Sequence, residues 1–545
     1  MRKKYVLDQS AVFDDIQRVL GYFESLVCAT MGPEGRNIML HTEDGLPIIT
    51  KDGVTVAEAI DFDDKVTYKV IADIIKESAR RTNLLAGDGT TTSIVITIAT
   101  VLAIQAARKQ YPLDEIRKEI LHYRNDILDI LKDMRKQISK QDDEEKLKDM
   151  LYKIAMISTN GDEEISKNIS EVVLQAGVDG LITTKNTYGK ISWESAEGIK
   201  IPNAHFAHAE FVRGTPDQTL KLKKVHILLT NMELEDGDLL HILNENILKE
   251  IKIKGQSLLI VAKSGKSFLE NMIKFNATGQ LNNCIVNPPY FGDVGRDMLD
   301  DLAAYTGATI LDVNKGHQLS ALKMQHLGYA EEAVITKEHT TLYKPNMIPE
   351  EVDKRIKILE KAKETLVPGM RDDRKIKERL AALKGNVYTL NITKISNIED
   401  GERLDRVEDA INACKGALEH GYLPGGGLAL IYAYKKFSQR TTPALIQDIF
   451  SKICYASFTQ ILRNMDIVDP EKILREYKLD NHNRALNLRE MEVGDPIEVG
   501  AIDSYKVIST AFQNGVSIGL TLSTCNGIIA NDPEKVPYQP FEFGY

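Results

Sequence analysis

The run Ala86-Gly87-Asp88-Gly89-Thr90-Thr91-Thr92 limits the possible folds of this chain most strongly, because it stands directly before an apolar, helix-like segment. Two glycines let the backbone approach another group closely, and a helix start offers free N–H groups. The three threonine hydroxyls add donors at the same place. Phosphate oxygens suit such a cradle. Taken alone, the run leaves open the simpler reading of a turn followed by a capped helix.

Asp88 lies inside this run, where its carboxylate is placed to hold Mg²⁺. That ion binds ATP phosphates through one or two carboxylates and several waters. The GxxxxGK[ST] spacing of a P-loop is absent around the run, so an ordinary Walker-type ATPase is not its source. No GxGxxG occurs, and a Rossmann dinucleotide site therefore has no support.

The chain has 545 residues, too many for one simple core, so several domains are expected. Its net charge of −10 argues against nucleic acid or an anionic membrane as the main partner. Residues 1–9 contain no signal-peptide core, and the five scattered cysteines form no CxxC pair. These features predict a cytosolic or organelle-matrix protein. Of the two, we expect a cytoplasmic location, in the bacterial cytosol or, for a virus-encoded chain, in the host cytosol.

Both ends of the chain show helical periodicity, the first from Val12 to Val27 and over 70–79, 94–107 and 113–138, and the second from Val407 onward. Gly32-Pro33 is predicted to end the first helix, and residues 37–40 and 48–50 flank a turn and predict a β-hairpin. The middle alternates short apolar runs with amphipathic helices at 239–251 and 268–275, which predicts a separate α/β domain. A long charged helix is expected near 351–383. Two helical ends around an α/β middle imply that the ends pack together.

Three further elements have a plain structural reading when each is taken alone. They are Thr30-Met31-Gly32-Pro33-Glu34-Gly35-Arg36-Asn37, Thr50-Lys51-Asp52-Gly53 and Gly425-Gly426-Gly427. The first two read as a helix stop and a turn. The triple glycine permits close approach to a planar or anionic group, but a flexible hinge explains it equally well.

In order and spacing, these elements resemble the group I chaperonins, the GroEL-like family, of which this chain is identified as a divergent member. The resemblance runs nearly end to end and is carried by GDGTTT, by TKDG and by these further motifs: Asn160-Gly161-Asp162-Glu163, Tyr290-Phe291-Gly292-Asp293, Leu327-Gly328-Tyr329-Ala330, Thr336-Lys337, Arg406-Val407-Glu408-Asp409-Ala410 and Gly500-Ala501-Ile502-Asp503.

The resemblance implies a multidomain α+β fold in three parts. A mostly helical equatorial ATPase domain is expected over 1–140 and 420–545. A small intermediate hinge domain is expected over 141–196 and 388–419. An α/β apical domain that grips unfolded chains is expected over 197–387.

The resemblance also implies an ATP site with Mg²⁺ and K⁺. The implied ATP-binding residues are Thr30, Met31, Gly32, Pro33, Lys51, Gly87, Asp88, Gly89, Thr90, Thr91, Thr92, Gly426, Asn487 and Asp503. Asp88 is the expected Mg²⁺ ligand, and the backbone oxygens of Thr30 and Lys51 are expected near K⁺. Gly426 is expected near the ribose or base, Asp503 on the ribose hydroxyls and Asn487 at the base.

Asp52 and Asp409 resemble the pair that orients and deprotonates the attacking water in this family. Phosphoryl transfer depends on positioning and charge stabilisation more than on covalent chemistry, so one carboxylate beside the water suffices. Without the resemblance, Asp409 is one acid among several on a solvated helix. The family makes a catalytic role the prediction.

The implied partners are non-native polypeptides, further copies of the chain in a sevenfold homo-oligomeric ring, and a GroES-like co-chaperonin; neither nucleic acid nor a membrane is expected. Leu240, Leu243, Phe268, Met272 and Ile273 fall where the family has its apical groove. Amphipathic helices with exposed apolar edges suit non-native chains, and methionine adapts to varied side chains. The alternative is that these stripes face a core.

One departure from the family concerns the apical domain. A gapless alignment puts His205, Ala209 and Glu210 where the family carries aromatic contacts to clients. A one-residue slip supplies Phe206 and Phe211 instead, so affinity for clients or for a lid is expected to differ.

Two more departures concern assembly. The family links neighbouring subunits through an Arg–Glu pair, but Asn203 and Asn397 stand at those positions, which predicts weaker or rewired cooperativity in the ring. The chain ends in an aromatic segment, residues 537–545, and not in a Gly-Gly-Met tail. These changes suggest a divergent paralogue or a virus-encoded version.

Two other classes of function stay open: a structural ring that has lost ATP turnover, and an unrelated phosphotransferase. The first is disfavoured because Asp52, Asp88 and Asp409 are all present, and the second because nothing resembles a second-substrate site. ATP turnover and refolding of a denatured client would separate the three.

Overall fold

The computed structural model describes these residues: 4–7, 9–41, 47–62, 65–138, 143–178, 180–202, 204–212, 219–242, 245–288, 292–337, 339–364, 376, 379–380, 382–384, 386–395 and 399–531. Asn203, Leu243, Asn397 and the aromatic segment 537–545 lie outside them. The chain forms two compact units: the first comprises Met1–Val178, Asn186–Ser192 and Asn391–Tyr545, and the second Asp179–Lys185 and Trp193–Leu390.

The first unit is mostly helical. Its helices are Gln9–Leu26, Gly53–Ala59, Val66–Ala86, Thr90–Ala107, Leu113–Met134, Glu144–Ser158, Glu163–Ala176, Glu399–His420, Leu428–Ser438, Ala444–Asn464, Pro470–Glu476 and Tyr505–Ser523. Four antiparallel strand pairs accompany them: Lys4–Leu7 with Ile528–Asn531, Ile38–Leu40 with Ile48–Thr50, Tyr422–Pro424 with Ile502–Ser504, and Ala485–Asn487 with Glu492–Gly494. The predicted hairpin is the second of these pairs and is confirmed.

The two ends of the chain pack together through the helices Thr90–Ala107 and Tyr505–Ser523, as the sequence predicts. A Cβ at Gly515 would lie 2.6 Å from Ile96 Cγ2, and one at Gly519 would lie 2.6 Å from Thr100 Cβ. Glycines four residues apart therefore let the two helices approach closely. This contact holds the GDGTTT segment against the last long helix of the chain.

By length and hydropathy alone, the helix Thr90–Ala107 could cross a membrane, but 67% of it is buried inside the protein. Its core position explains the apolar composition. Thr97 and Thr100 fit there because each hydroxyl donates to the carbonyl of the preceding turn, on Ser93 and Ile96.

The second unit is built on an eight-stranded sheet with helices Leu239–Ile242, Glu245–Ile253, Lys266–Ala277, Gly292–Thr306 and Pro349–Glu364. The strand order is Leu181–Thr187, Asn386–Thr393, Ser192–Pro202, His339–Pro345, Gly328–Ile335, Leu220–Leu234, Ser257–Ser264 and Asn283–Val286. The last three strands are parallel, and the apolar runs of the final two are buried, as expected for strands covered on both faces. The predicted βαβα rhythm is thus confirmed for this part. The third to sixth strands in the sheet order, by contrast, pair antiparallel with one another.

Several element bounds differ from the sequence prediction. The first helix ends at Leu26 and passes into a 3-10 turn, Cys28–Thr30, before Gly32 is reached. The helix predicted over 113–138 ends at Met134, because Arg135 has an extended backbone. Of the helix predicted over 239–251, the described residues form Leu239–Ile242 and Glu245–Ile253, and residues 243–244 lie outside the described part.

The predicted apical range, 197–387, falls within the second unit, whose bounds are Asp179–Lys185 and Trp193–Leu390. The predicted equatorial and intermediate ranges fall largely in the first unit. The division of that unit into two domains stays a prediction.

Candidate active site

A cleft of about 390 Å³ opens in the first unit. The residues predicted for nucleotide binding and catalysis that line it are Thr30, Met31, Gly32, Pro33, Lys51, Asp52, Asp88, Gly89, Thr90, Thr91, Thr92, Asp409, Gly426, Asn487 and Asp503. Gly87 is the one predicted residue that is not in its lining. The cleft thus joins segments from both ends of the chain, and its volume lies in the range of small-molecule sites.

The GDGTTT segment turns the chain from one helix into the next at the wall of the cleft. Gly87 ends the helix Val66–Ala86 with φ 70°, and its N–H donates to Asn83 O at 2.8 Å. Gly89, at φ 84°, precedes the helix Thr90–Ala107 and has no side chain with which to cap it. The first N–H groups of that helix are therefore left for a ligand.

The Thr50–Gly53 turn packs directly on this helix start. A Cβ at Gly53 would lie 2.1 Å from Thr91 Oγ1, so only glycine fits there. Asp52 begins the helix Gly53–Ala59, and its carboxylate accepts hydrogen bonds from Val54 N at 3.4 Å and Thr55 N at 2.7 Å. Capping thus orients the Asp52 carboxylate at the cleft.

The Thr30–Pro33 segment is held by the helix Ala444–Asn464. Asn464 Nδ2 donates to Cys28 O at 2.9 Å and to Met31 O at 2.8 Å. Gly32 has φ 87°, and a Cβ there would lie 2.8 Å from Ile461 Cγ2. The backbone of this segment therefore forms a close-packed wall of the cleft.

The helix Glu399–His420 places Asp409 in the cleft by its spacing. Arg406, Asp409 and Ala413 line the cleft and share one helix face, whereas Val407 and Ala410 are fully buried on another. The helix thus has one face in the core and another at the cleft, and Asp409 lies on the cleft face and not on a solvated one.

The triple glycine and Asp503 meet through a short strand pair. Leu423 lies opposite Asp503, and Gly425 N donates to Ala501 O at 2.7 Å. The Gly426 N–H also donates to the Asp503 carboxylate. A Cβ at Gly427 would lie 2.7 Å from Phe458 N, which requires glycine at that position. Close approach, and not hinge flexibility, explains these glycines.

Asn487 shapes a turn at the opposite side of the site. Its Nδ2 donates to Val499 O at 2.9 Å, and its Oδ1 accepts from Arg489 N at 3.0 Å. The carboxamide therefore anchors the local backbone while the residue lines the cleft.

Carboxylates crowd the cleft and raise one another's pKa. Burial, with the charge of Asp52, raises the pKa of Asp88 to about 6. Burial, with the charge of Asp88, raises the pKa of Asp503 to about 7. Burial and the charges of Asp88 and Asp52 raise the pKa of Asp409 well above its ordinary value. In the ligand-free protein, the charged form of these carboxyl groups is therefore disfavoured, and a bound cation would favour it.

Asp405 belongs to the same electrostatic group, although the sequence analysis did not assign it to the site. Burial and the charges of Asp52, Glu408 and Glu402 raise its pKa to about 7. The spacing of four residues to Asp409 is the signal that could have indicated it.

We expect Asp405→Asn to stabilise the ligand-free protein at pH 8 by roughly 2 °C in Tm and to change it little at pH 4.5. Between its ordinary pKa of 3.8 and the folded value of about 7, folded Asp405 holds a proton that the unfolded chain has lost. The free energy of unfolding therefore falls as pH rises through this window. Thermal unfolding at both pH values measures the effect, with Asp133→Asn on an exposed helix face as control. Equal shifts at both pH values would contradict the prediction.

Basic side chains that the sequence analysis did not assign, Arg406 and Arg489, also line the cleft, together with the predicted Lys51. Burial and the charge of Arg406 lower the pKa of Lys51. Among the described residues, Arg406 Nε is buried without a hydrogen-bond partner. These cations suit the negative charge of a triphosphate.

The predicted client-binding residues fare differently. Phe268 and Met272 are fully buried in the core of the second unit, so the prediction that they contact clients is wrong. They lie four residues apart on the helix Lys266–Ala277, on the face turned to the sheet, which favours the core alternative. Ile273 is half-buried, and Leu240 lies in the helix Leu239–Ile242. For these two and Leu243, client contact stays a prediction.

The alignment question near residue 205 has a structural answer. Phe211 is buried and Phe206 packs against the core, whereas Ala209 and Glu210 are exposed. A one-residue slip would therefore bring no exposed aromatic side chain to this surface.

Comparison with known proteins agrees with these features. A sequence profile of the TCP-1/cpn60 chaperonin family matches residues 23–533. Two crystal structures of the chaperonin gp146 from the bacteriophage EL 2 (Pseudomonas aeruginosa), determined in the presence of ATP-BeFx, share the fold. Crystal form II is 22% identical with a TM-score of 0.66, and crystal form I is 21% identical with a TM-score of 0.67. Each match covers 97% of this chain and 99% of the phage chain.

The chain belongs to the TCP-1/cpn60 chaperonin family. It is an ATP-dependent chaperonin and therefore an ATPase, so the class predicted from the GDGTTT, TKDG and RVEDA motifs is confirmed.

Proposed function

We propose that this chain is the subunit of a ring that captures non-native polypeptides and promotes their folding through ATP-driven changes of conformation. The observation that carries the proposal is the cleft itself. Asp52 and Asp88 from the first part of the chain line it together with Asp409 and Asp503 from the last part and with a glycine-rich helix start. A nucleotide bound there contacts both parts of the chain at once, which couples its turnover to the conformation of the unit.

The residues present suit ATP with Mg²⁺. The helix Thr90–Ala107 has no side-chain cap, so its first N–H groups can donate to phosphate oxygens, as can the hydroxyls of Thr90 to Thr92. Lys51 and Arg406 provide positive charge. Burial raises the pKa of Asp88, and a bound cation would stabilise its charged form. When bound, Mg²⁺ would neutralise negative charge during phosphoryl transfer.

K⁺ is proposed at the backbone of Thr30 and Lys51. Both residues line the cleft, and main-chain carbonyl oxygens are the donors that an alkali cation takes. The Thr30 side chain is occupied locally, because its hydroxyl donates to Val27 O at 2.8 Å. The main-chain carbonyl is thus the group that Thr30 offers to the cation.

Asp409 and Asp52 are proposed to hold and deprotonate the attacking water. Asp52 is oriented by its capping hydrogen bonds, and burial raises the pKa of Asp409, which makes its carboxylate a stronger proton acceptor. One residue thus positions the water and the other accepts its proton.

The proposal extends to partners and place. We propose a sevenfold ring of identical subunits, a GroES-like co-chaperonin, non-native polypeptides as clients and a cytoplasmic location. The family assignment and the clustered site support the ring and its clients. Asn203 and Asn397 remain the positions at which weaker cooperativity is expected.

The test combines assembly, turnover and folding. We expect purified protein to form rings by negative-stain microscopy, to hydrolyse ATP only with Mg²⁺ and faster with K⁺ than with Na⁺, and to raise the yield of a denatured client in an ATP-dependent way. Rings without turnover or refolding would indicate a scaffold. Turnover with phosphate transfer to a second substrate, and no refolding, would indicate a phosphotransferase.

A further inference from the structure

Arg489 connects two segments at the rim of the nucleotide cleft. Its side chain is exposed and yet lines the cleft, which places it at the opening. Its Nη2 donates to Asn160 O at 3.0 Å and to Asn160 Oδ1 at 2.7 Å. Its backbone N–H donates to the Asn487 carboxamide. One residue therefore ties the Asn487 turn to the loop after the helix Glu144–Ser158.

The loop is shaped to receive this guanidinium. Asn160 and Gly161 have φ of 56° and 86°, a left-handed pair that ends the helix Glu144–Ser158. A Cβ at Gly161 would lie 2.0 Å from Arg489 Nη1. Any other residue at this position would displace the guanidinium, so the glycine serves the contact as well as the turn.

The other side of the loop is held by the helix that carries Asp409. Arg406 Nη1 donates to Thr159 O at 3.4 Å, and Arg403 Nη2 pairs with Asp162 Oδ2 at 3.2 Å. Through this loop, the Arg489 contact joins the Asn487 turn to the catalytic helix.

We propose that Arg489, Asn160 and Gly161 form a rim latch that holds the cleft closed over nucleotide and slows its release. Arg489 is a positioning residue in this role. Arg489 lines the same cleft as Lys51 and Arg406, so its guanidinium lies where the negative charge of a bound nucleotide attracts it. The latch is therefore strongest in the nucleotide-bound state. The inference rests on the nucleotide site proposed above.

The experiment measures dissociation of a fluorescent ADP analogue from the full assembly by stopped flow. We expect Arg489→Ala to raise the dissociation rate about tenfold, because it removes two charge-assisted hydrogen bonds. Asn160→Gly keeps the left-handed backbone and removes Oδ1, so a smaller increase is expected. Arg489→Lys keeps the positive charge, so its dissociation rate should lie between those of the wild type and Arg489→Ala. Glu490→Ala, on the same turn and outside the cleft lining, should match the wild type.

The double variant distinguishes a latch from two independent effects. If Asn160 acts through Arg489, Arg489→Ala with Asn160→Gly dissociates nucleotide no faster than Arg489→Ala alone. Additive rates, or an Arg489→Ala rate within twofold of wild type at unchanged Tm, would overturn the latch while leaving the nucleotide site intact. A wild-type protein that binds no nucleotide would overturn the proposed site itself, and the latch with it.

Discussion

Asp409→Ala should lower ATP turnover at saturating ATP by about 100- to 10,000-fold, the usual contribution of a general base, while ATP still binds. Asp409 lies on the cleft face of its helix, and burial with the charges of Asp88 and Asp52 raises its pKa. Removing the carboxylate removes the proton acceptor but none of the phosphate donors around Thr90 to Thr92. The loss should therefore fall on kcat and leave binding within a few-fold.

Steady-state ATPase assays and equilibrium nucleotide binding measure the two quantities separately. Glu419→Ala is the matched control, because Glu419 is an exposed acid on the same helix, away from the cleft. Turnover of Asp409→Ala within threefold of wild type would remove this residue from the catalytic assignment. A parallel loss of binding would assign it to the cation instead.

Asp88→Asn should lower kcat/KM for ATP with Mg²⁺ by about 100-fold and raise the Mg²⁺ concentration needed for half-maximal activity. Asp88 Oδ1 accepts a hydrogen bond from Gly89 N–H, and the asparagine side chain keeps an oxygen that can do the same. The local turn should therefore be preserved. The charge that would hold the cation is lost. Without Mg²⁺, the same change removes repulsion from phosphate, so ADP binding should be equal to or tighter than that of the wild type.

A Mg²⁺ titration of ATPase activity and ADP binding in chelator test both parts. Asp73→Asn is the control, since it removes the same charge from an exposed position of the preceding helix. An unchanged Mg²⁺ requirement would contradict the metal role of Asp88. Weaker ADP binding in chelator would mean that the carboxylate supports the phosphate loop itself.

Much of the fold could be predicted from the periodicity of apolar residues, and the errors of this prediction concern the ends of single elements. The hairpin of Ile38–Leu40 with Ile48–Thr50 and the packing of the two chain ends were predictable, because alternation and helical stripes report which faces are buried. The end of the helix Leu113–Met134 was not predictable, since the apolar period continues to Ile138. A single sequence does not report where a change of backbone conformation ends an otherwise regular stripe.

The client-binding residues show a second limit. Phe268 and Met272 form an apolar stripe that fits equally an exposed groove and a core, and the structure buries both. Arg489 shows the converse case, because nothing local marks a lone arginine on a turn. Its role depends on Asn160, far away in the chain, whose left-handed backbone presents two acceptors to one guanidinium.

By itself, the sequence determined the family through its motifs, and it predicted a phosphate-binding role for Gly87 to Thr92 because glycine spacing and hydroxyl clusters have local physical consequences. The acids on which turnover is predicted to depend followed from the resemblance to the family. Only the tertiary structure decided which residues share the cleft. It showed that Asp405, Arg406 and Arg489 belong to that neighbourhood and that Phe268 and Met272 lie in a core. The reason is physical: charge coupling and burial depend on distances between segments that are remote in the chain.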